Sequence, residues 1–247
     1  YYAMEYLSGV TLDALAPISG PLPAGRVIHI LMQIAGSLAE AHEKGLIHRD
    51  IKPSNVILCE RGGLYDVVKV LDFGLVKEIA ETDGNLTQAN VLIGTPLYMA
   101  PETISQPGQA SPASDLYALG AVGYFLLAGR NVFEGASAVE ICARHLHDAP
   151  EPPSARTGTP VPSDLEQIIM DCLEKDPGLR PADASALRER LSRCEDSNAW
   201  SWEDARDWWA THYAGISAAA TGQPSTPLSN TELLVDLDDR LQTLRTN

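Results

Sequence analysis

The chain has 247 residues, of which 45% are hydrophobic and 21% are charged, and its formal net charge is −15 at pH 7. This composition predicts an ordinary folded protein with one large domain, or one domain with an appendage. The acidic excess argues against a nucleic-acid surface, because phosphate backbones select clustered Lys and Arg, which this chain lacks.

The four cysteines are scattered and form no C-x-x-C pair. We therefore expect reduced thiols, no zinc site and a cytoplasmic location. The longest apolar run, 116–128, is shorter than the roughly 18 to 20 residues that cross a bilayer, so no membrane span is predicted. Residues 1–7 have no initiator Met and no signal-peptide pattern. They are typical of the end of a strand, which predicts an N-terminally truncated piece.

The first half of the chain predicts a helix, a hairpin and a loop, in that order. Apolar residues at helical spacing follow Pro21 and end at Gly45, which predicts a long helix packed on the core. Two β-rich runs, 56–59 and 67–71, flank a glycine-containing turn and predict a hairpin. The polar stretch 78–90 has no hydrophobic period and predicts a mobile loop.

Helices dominate the second half of the chain. They are predicted at 115–128, 137–147 and 163–174, and a further helix is predicted to start near Pro181. The second and third begin with capping-box sequences, Ser137 with Glu140 and Ser163 with Glu166.

The composition changes after Cys194. All four tryptophans crowd together at Trp200, Trp202, Trp208 and Trp209. Such aromatics are more typical of packing anchors than of a partner groove. A linker of small residues and proline is predicted at 218–228, followed by a short amphipathic helix at 229–247.

Three short motifs carry the chemistry, and they occur in the order His48-Arg49-Asp50-Ile51-Lys52-Pro53-Ser54-Asn55, Asp72-Phe73-Gly74 and Ala100-Pro101-Glu102. Phosphoryl transfer needs a carboxylate to orient the attacking hydroxyl, metal ions to neutralise phosphate oxygens and a cation to steady the moving charge. The first two motifs supply these residue types. Each motif alone is common in turns and helix ends, but together and in this order the sequence resembles the bacterial, eukaryotic-like serine/threonine protein kinases.

The resemblance implies an α+β, protein-kinase-like fold. It covers the hinge and a mainly α-helical C-terminal lobe with short β-hairpins, and a helical appendage follows at the C-terminus. The Gly-rich loop and the Lys–Glu pair of the family are expected upstream of Tyr1, so the N-terminal lobe is expected to be largely missing from this chain.

The same resemblance implies the catalytic roles. Asp50 is expected to be the base for the substrate hydroxyl, and Lys52 is expected to contact the transferred phosphate. Asn55 and Asp72 are expected to bind Mg²⁺, for which Mn²⁺ can substitute. Thr95 is expected to lie beside the acceptor hydroxyl, which together with Lys52 favours serine and threonine over tyrosine as acceptor.

The adenine of ATP is expected to lie against the hinge. Met4 resembles the residue that guards the back of the adenine pocket, and Ile57 resembles its floor. The backbone groups of Glu5 and Leu7 are expected to bind the adenine edge. These assignments rest on family position alone.

A basic pocket next to the base is expected to regulate the enzyme. Arg49 and Lys77 resemble the residues that capture a phosphate on the activation loop. Thr87 is the first candidate for that phosphate and Thr82 is the second, and a second copy of the kinase is the expected partner for autophosphorylation.

The remaining family positions imply structural roles. His48 is expected to pack in the core, Phe73 and Gly74 to let the metal-binding loop swing, Asp115 to pin the catalytic loop, and Glu102 to pair with Arg180.

The expected function is transfer of the γ-phosphoryl group of ATP to Ser or Thr of protein substrates. This piece alone is expected to be weakly active or inactive. Two alternatives stay open. A pseudokinase or phospho-regulated scaffold would keep the fold, although the intact catalytic residues argue against it. A small-molecule phosphotransferase would lack the segment around Thr95, the Ala-Pro-Glu motif and Arg180.

The expected regions are four: a truncated kinase catalytic domain at 1–194, a tryptophan-rich extension at 195–217, the linker at 218–228 and the amphipathic helix at 229–247.

Overall fold

The computed structural model describes residues 7–72, 96–106 and 108–222. Its strands are β1 (Gly9–Thr11), β2 (Val56–Arg61) and β3 (Leu64–Val70). Its helices are α1 (Leu12–Ser19), α2 (Ala24–Glu43), α3 (Pro101–Ser105), α4 (Pro112–Ala128), α5 (Ala138–His147), α6 (Pro153–Thr157), α7 (Ser163–Cys172), α8 (Ala184–Ser192) and α9 (Trp202–Gly222). The described residues are therefore mainly helical with one small sheet, as the sequence predicts.

The three strands form one antiparallel sheet in the order β1-β2-β3. The predicted hairpin is β2–β3, whose strands are longer than expected and meet at Gly62 and Gly63, both at positive φ. Strand β1 is an addition to the prediction. Its Gly9 lies so close to β2 that a Cβ atom would be 2.3 Å from the Leu58 carbonyl oxygen, so only glycine allows this approach.

Helix α4 is the centre of the helical body. Nearly all of its residues are buried, because it is apolar around its whole circumference. It packs on α2 and α7. A Cβ atom at Gly120 would lie 2.5 Å from the Cβ of Cys172 in α7, so the two helices approach closely at this glycine.

Several helix ends differ from the predictions. The predicted capping box of α7 is wrong: Pro162 precedes the helix, and the Glu166 carboxylate accepts hydrogen bonds from Ser154 in α6 instead. The helix expected near Pro181 begins at Ala184, because Asp183 caps it by accepting from the Ala186 amide.

Half of the other predicted capping box forms. Ser137 Oγ accepts from the Glu140 amide, but the Glu140 carboxylate accepts from the amide of Ala136 and not from that of Ser137. The predicted long helix is present as α2, which begins at Ala24 and ends at Glu43.

Contacts divide the chain into two compact units, Tyr1–Trp209 and Ala210–Asn247. The tryptophans therefore belong to the first unit. Helix α9 continues to Gly222, which places its last turn in the stretch predicted as a linker. The predicted loop at 78–90 and the predicted helix at 229–247 lie outside the described residues. In the described ranges, no helix combines the length and the apolar character needed to span a membrane.

Candidate active site

The loop between α2 and β2 brings three of the predicted catalytic side chains together. Asp50 Oδ2 lies 2.6 Å from Lys52 Nζ and accepts a 2.9 Å hydrogen bond from Asn55 Nδ2. A 3₁₀ turn over Pro53–Asn55 returns Asn55 to Asp50, where Nδ2 also donates to the Asp50 carbonyl oxygen at 2.8 Å. The side chains of Asp50 and Lys52 are 25% and 22% exposed, so a carboxylate and an ammonium group share one partly open site.

Asp115, in the first turn of α4, holds the backbone of this loop. Its Oδ2 accepts from the His48 amide and its Oδ1 from the Arg49 amide, both at 2.8 Å. Arg49 has φ 71°, a left-handed conformation that costs a residue with a side chain about 1–2 kcal/mol. The two hydrogen bonds offset this cost and leave the Arg49 side chain exposed beside Asp50.

His48 connects the catalytic loop to the second motif. Its Nε2 lies 2.7 Å from the Leu71 carbonyl oxygen, and its Nδ1 lies 3.3 Å from the Asp50 amide. A carbonyl oxygen can only accept, so Nε2 carries the hydrogen and Nδ1 accepts from Asp50. The side chain is buried and fixes the spacing between the loop and the residue before Asp72.

Asn55 and Asp72 lie at the same end of the hairpin. The Leu71 amide donates a 2.8 Å hydrogen bond to the Asn55 carbonyl oxygen, and the next residue, Asp72, is exposed and left-handed at φ 58°. Because the Asn55 amide nitrogen donates to Asp50, its side-chain oxygen is the atom that could bind a metal ion.

This donor pair fits magnesium. Mg²⁺ is usually bound by one or two carboxylates together with substrate phosphates, not by a cage of protein ligands. Across the described ranges, no group of three or more His, Cys, Asp or Glu side chains could hold a metal ion. An amide oxygen and one carboxylate therefore match a site that the substrate itself completes.

Ile57 and Leu7 are the adenine-pocket candidates that lie within the described residues. Ile57 is half-buried in β2, opposite Thr11 of β1 and Lys69 of β3. Leu7 is half-buried and lies two residues before Gly9, the first residue of β1. Strand pairing thus brings the residues that follow the expected hinge next to the strand that follows the catalytic loop.

Glu102 and Arg180 form a bidentate ion pair, with Nη1–Oε1 and Nη2–Oε2 distances of 2.8 Å. Arg180 also donates to three backbone carbonyls, those of Ala113, Glu174 and Lys175. Burial raises the pKa of Glu102, but hydrogen bonds from Arg180, from the backbone and from Ser114 outweigh it, so the pKa lies below its ordinary value. The pair ties the Ala-Pro-Glu motif to the helical body.

Eight predicted site residues lie outside the described residues: Met4, Glu5, Phe73, Gly74, Lys77, Thr82, Thr87 and Thr95. Their assignments stay predictions. The described structure resumes directly after Thr95 with a 3₁₀ turn, Pro96–Tyr98, which ends in a 2.9 Å hydrogen bond from the Tyr98 hydroxyl to Asn131.

Sequence reasoning gave His42 no role, yet its Nε2 lies 2.9 Å from Asp115 Oδ2. It is therefore the third group on the carboxylate that holds the catalytic loop. Its position on the buried face of the predicted long helix was visible in the sequence, but its distant partner was not.

A second buried carboxylate was also missed. Asp66 in β3 is fully buried and binds Arg26 of α2 through two hydrogen bonds of 2.8 and 2.9 Å. The indole nitrogens of Trp200 and Trp209 donate to the same carboxylate. The only signal in the sequence was an acidic residue within a strand of apolar neighbours.

Comparison with known proteins identifies the family. The protein kinase domain model matches residues 1–191. The serine/threonine-protein kinase pkn3 of Myxococcus xanthus is 40% identical over 194 residues, which cover 77% of this chain and 35% of that protein. PknB of Mycobacterium tuberculosis is 33% identical over 239 residues, which cover 97% of this chain and 37% of that protein.

PrkC of Bacillus subtilis, also named a serine/threonine-protein kinase, is 37% identical over 199 residues, covering 80% of this chain and 29% of that protein. The chain thus spans about a third of the length of these curated relatives. The crystal structure of Rad53 1-466 in complex with AMP-PNP matches with a TM-score of 0.60 and 24% identity, covering 76% of this chain and 45% of that one. This likeness confirms the kinase-like fold, and with the family match it shows that the chain belongs to the protein kinase domain family.

Proposed function

We propose that the protein is a serine/threonine protein kinase that transfers the γ-phosphoryl group of ATP to Ser or Thr of protein substrates. The observation that carries this proposal is the Asp50 carboxylate, held between Lys52 and Asn55 at a partly open site. The names of the relatives support it, since they are serine/threonine-protein kinases.

Asp50 orients the substrate hydroxyl and accepts its proton during attack on the phosphorus. The Asn55 side chain fixes the carboxylate through Nδ2, and the backbone turn at Arg49 aims it. Lys52, 2.6 Å from Asp50 before substrate enters, neutralises charge on the oxygens of the transferred phosphoryl group.

Bound Mg²⁺–ATP supplies the phosphoryl group and screens its negative oxygens. Asn55 Oδ1 and the Asp72 carboxylate would hold the metal ion, and Mn²⁺ suits the same oxygen donors. Ile57 would form the floor of the adenine site, and the backbone groups of Glu5 and Leu7 would bind the adenine edge.

The test is a kinase assay on the full-length gene product with a mixture of protein substrates. Loss of a catalytic base lowers rates by about 100- to 10,000-fold, so Asp50→Asn abolishes transfer to Ser and Thr. Asp148→Asn, an exposed change at the end of α5, is the matched control and retains the wild-type rate.

The same assay separates the alternatives. A wild-type protein that binds ATP without transferring phosphate would be a pseudokinase or scaffold. Transfer to a small molecule but to no protein would identify a small-molecule phosphotransferase. Phosphate on tyrosine would contradict the Ser/Thr assignment.

Activation is proposed to follow phosphorylation of Thr87, with Thr82 as second candidate. The exposed Arg49 side chain, next to Asp50, and Lys77 supply the positive charge that captures the phosphate. A second copy of the kinase donates it. Thr87→Ala is expected to slow activation, as followed by phosphopeptide mass spectrometry. Asp50→Asn protein that still gains phosphate at Thr87 without added kinase would contradict self-activation.

The proposed catalytic domain occupies 1–194 and is followed by the extension, linker and helix given above. Its proposed location is the cytoplasm, where ATP is available. The four cysteines support this, since none of them is in a disulfide and all are buried.

A further inference from the structure

The carboxylate of Asp66 is a buried, heavily hydrogen-bonded charge outside the catalytic loop. It has no exposed surface, and four N–H groups surround it. Arg26 Nε and Nη2 donate to Oδ2 and Oδ1 at 2.8 and 2.9 Å, and the indoles of Trp200 and Trp209 donate to the same two oxygens at 3.0 and 2.8 Å. Every acceptor position of the carboxylate is thus occupied.

Two different parts of the chain supply these donors. Arg26 belongs to α2, whereas both tryptophans lie beyond residue 191, where the match to the kinase domain model ends. The guanidinium of Arg26 lies over two rings of the extension, 4.8 Å from the centroid of Trp200 and 4.1 Å from that of Trp208. Such stacking is favourable for a desolvated cation.

The backbone of Asp66 is constrained as well. It has φ 53° in an irregular stretch of the hairpin, where the register shifts between Cys59 and Arg61. Gln33 Nε2 donates to the Asp66 carbonyl oxygen at 2.9 Å, and Gln33 Oε1 accepts from the Val68 amide at 3.1 Å. A left-handed Asp persists only where its surroundings fix it, and here α2 and the extension do so.

The metal-ligand pair lies at the other end of the same strand. Val70 pairs with Val56, and the next amide, that of Leu71, donates to the carbonyl oxygen of Asn55. Asp72 follows. Only β3 therefore separates the fixed Asp66 from the residues that the proposed function assigns to magnesium.

We propose that Trp200 and Trp209, acting through Asp66, position the hairpin and thereby the magnesium ligands Asn55 and Asp72. Trp200 and Trp209 are then positioning residues of the catalytic lobe and not only packing anchors of an appendage. This inference rests on the proposed kinase function for its metal assignment.

The test compares three variants of the full-length protein. Trp209→Phe and Trp200→Phe each keep an aromatic ring but remove one donor to Asp66. Trp202→Phe is the matched control, because it removes an indole donor of the same segment whose acceptor is the Gly63 carbonyl oxygen at the hairpin turn. The probes are Mn²⁺ with AMP-PNP, followed by electron paramagnetic resonance, and hydrogen exchange of the Leu71 amide.

Loss of a partner that directly contacts a metal ligand weakens metal affinity by about 10- to 100-fold. Trp209 acts on the ligands less directly, through Asp66 and β3, so its effect should lie at the lower end. We therefore expect Trp209→Phe to raise the Kd of Mn²⁺ by about 10-fold and to speed exchange at Leu71, well below the unfolding temperature. kcat falls while KM for the protein substrate stays unchanged, and Trp202→Phe behaves as the wild type. If Trp209→Phe does not fold, Trp200→Phe at the half-buried ring gives the same readouts.

A purely structural role predicts a different result. Folded Trp209→Phe and Trp200→Phe proteins with a lower Tm but wild-type Mn²⁺ affinity and Leu71 exchange would overturn the inference. The proposed function fails separately. In that case the wild type binds Mn²⁺–AMP-PNP and the tryptophan variants bind it more weakly, but the wild type transfers no phosphate.

Discussion

Asp115 Oδ1 accepts a 2.8 Å hydrogen bond from the backbone amide of Arg49, a residue held in the left-handed region at φ 71°. The carboxylate belongs to the central buried helix, and the amide belongs to the loop that carries Asp50. The backbone geometry of that loop is therefore set by a residue that is itself only 1% exposed.

Replacing Asp115 with Asn should disturb this hydrogen bonding without changing the size of the side chain. An amide can accept with only one of its two heavy atoms, so one buried backbone N–H loses its partner, which costs about 1–3 kcal/mol. We expect urea denaturation to show this loss and the kinase assay to show a fall in kcat larger than any change in KM for ATP. A kcat equal to the wild type would contradict the assignment. Asp171→Asn, which removes a partner of Arg190 at the partly exposed surface, is the control.

The ion pair between Arg180 and Glu102 gives a second prediction, because the Arg180 side chain is fully buried. Arg180→Met leaves Glu102 charged and half-buried without its partner, which should destabilise the fold by about 3–5 kcal/mol. Arg193→Met breaks an exposed pair with Glu189, and such pairs contribute about 0–1 kcal/mol. Equal loss of stability in both variants, measured by thermal unfolding, would show that the Arg180 pair has no special role.

The stability of the fold should depend on pH through His145. Burial lowers its pKa to about 4, and the nearby charge of Lys175 acts in the same direction. Between pH about 4 and 6.5 the unfolded state binds more protons than the folded state, so the free energy of unfolding decreases as pH falls. The stabilising contribution of neutral His145 is complete above pH 6.5, and its loss amounts to about 3 kcal/mol once pH has fallen through the folded-state pKa.

The variant His145→Gln removes this titration and keeps an acceptor for the Tyr117 hydroxyl, which lies 2.8 Å from His145 Nδ1. Its unfolding free energy should vary less between pH 4 and 6.5 than that of the wild type. His147→Gln, at an exposed position in the same helix, should keep the wild-type slope. Identical slopes for all three proteins would exclude His145 as the source.

Two helical glycines should respond oppositely to substitution by alanine. Gly120→Ala places a methyl group 2.5 Å from the Cβ of Cys172, and such overpacking costs about 1–3 kcal/mol. At Gly36 the nearest atoms, those of Arg188, lie 3.7 Å or farther away. Gly36→Ala should therefore stabilise the protein by about 0.5–1 kcal/mol. Denaturation midpoints measured side by side test both signs.

The sequence by itself determined the class of the molecule. Motif order from His48 to Glu102 indicated the kinase family, and periodicity located α2, the hairpin and the central helix, because local composition and spacing decide these features. It also predicted the partners Glu102 and Arg180, but only through resemblance to a family.

Tertiary structure decided what lies far apart in the sequence. Nothing local indicates that His42 contacts Asp115, or that Trp209 donates to Asp66 across more than a hundred residues. Tertiary structure also decided how the side chains at two helix starts are used. Asp183 caps its own helix, whereas Glu166, which could have completed a capping box in its helix, binds a neighbouring helix instead. Buried polar groups must find partners wherever the fold brings donors and acceptors together, and that requirement acts through space and not along the chain.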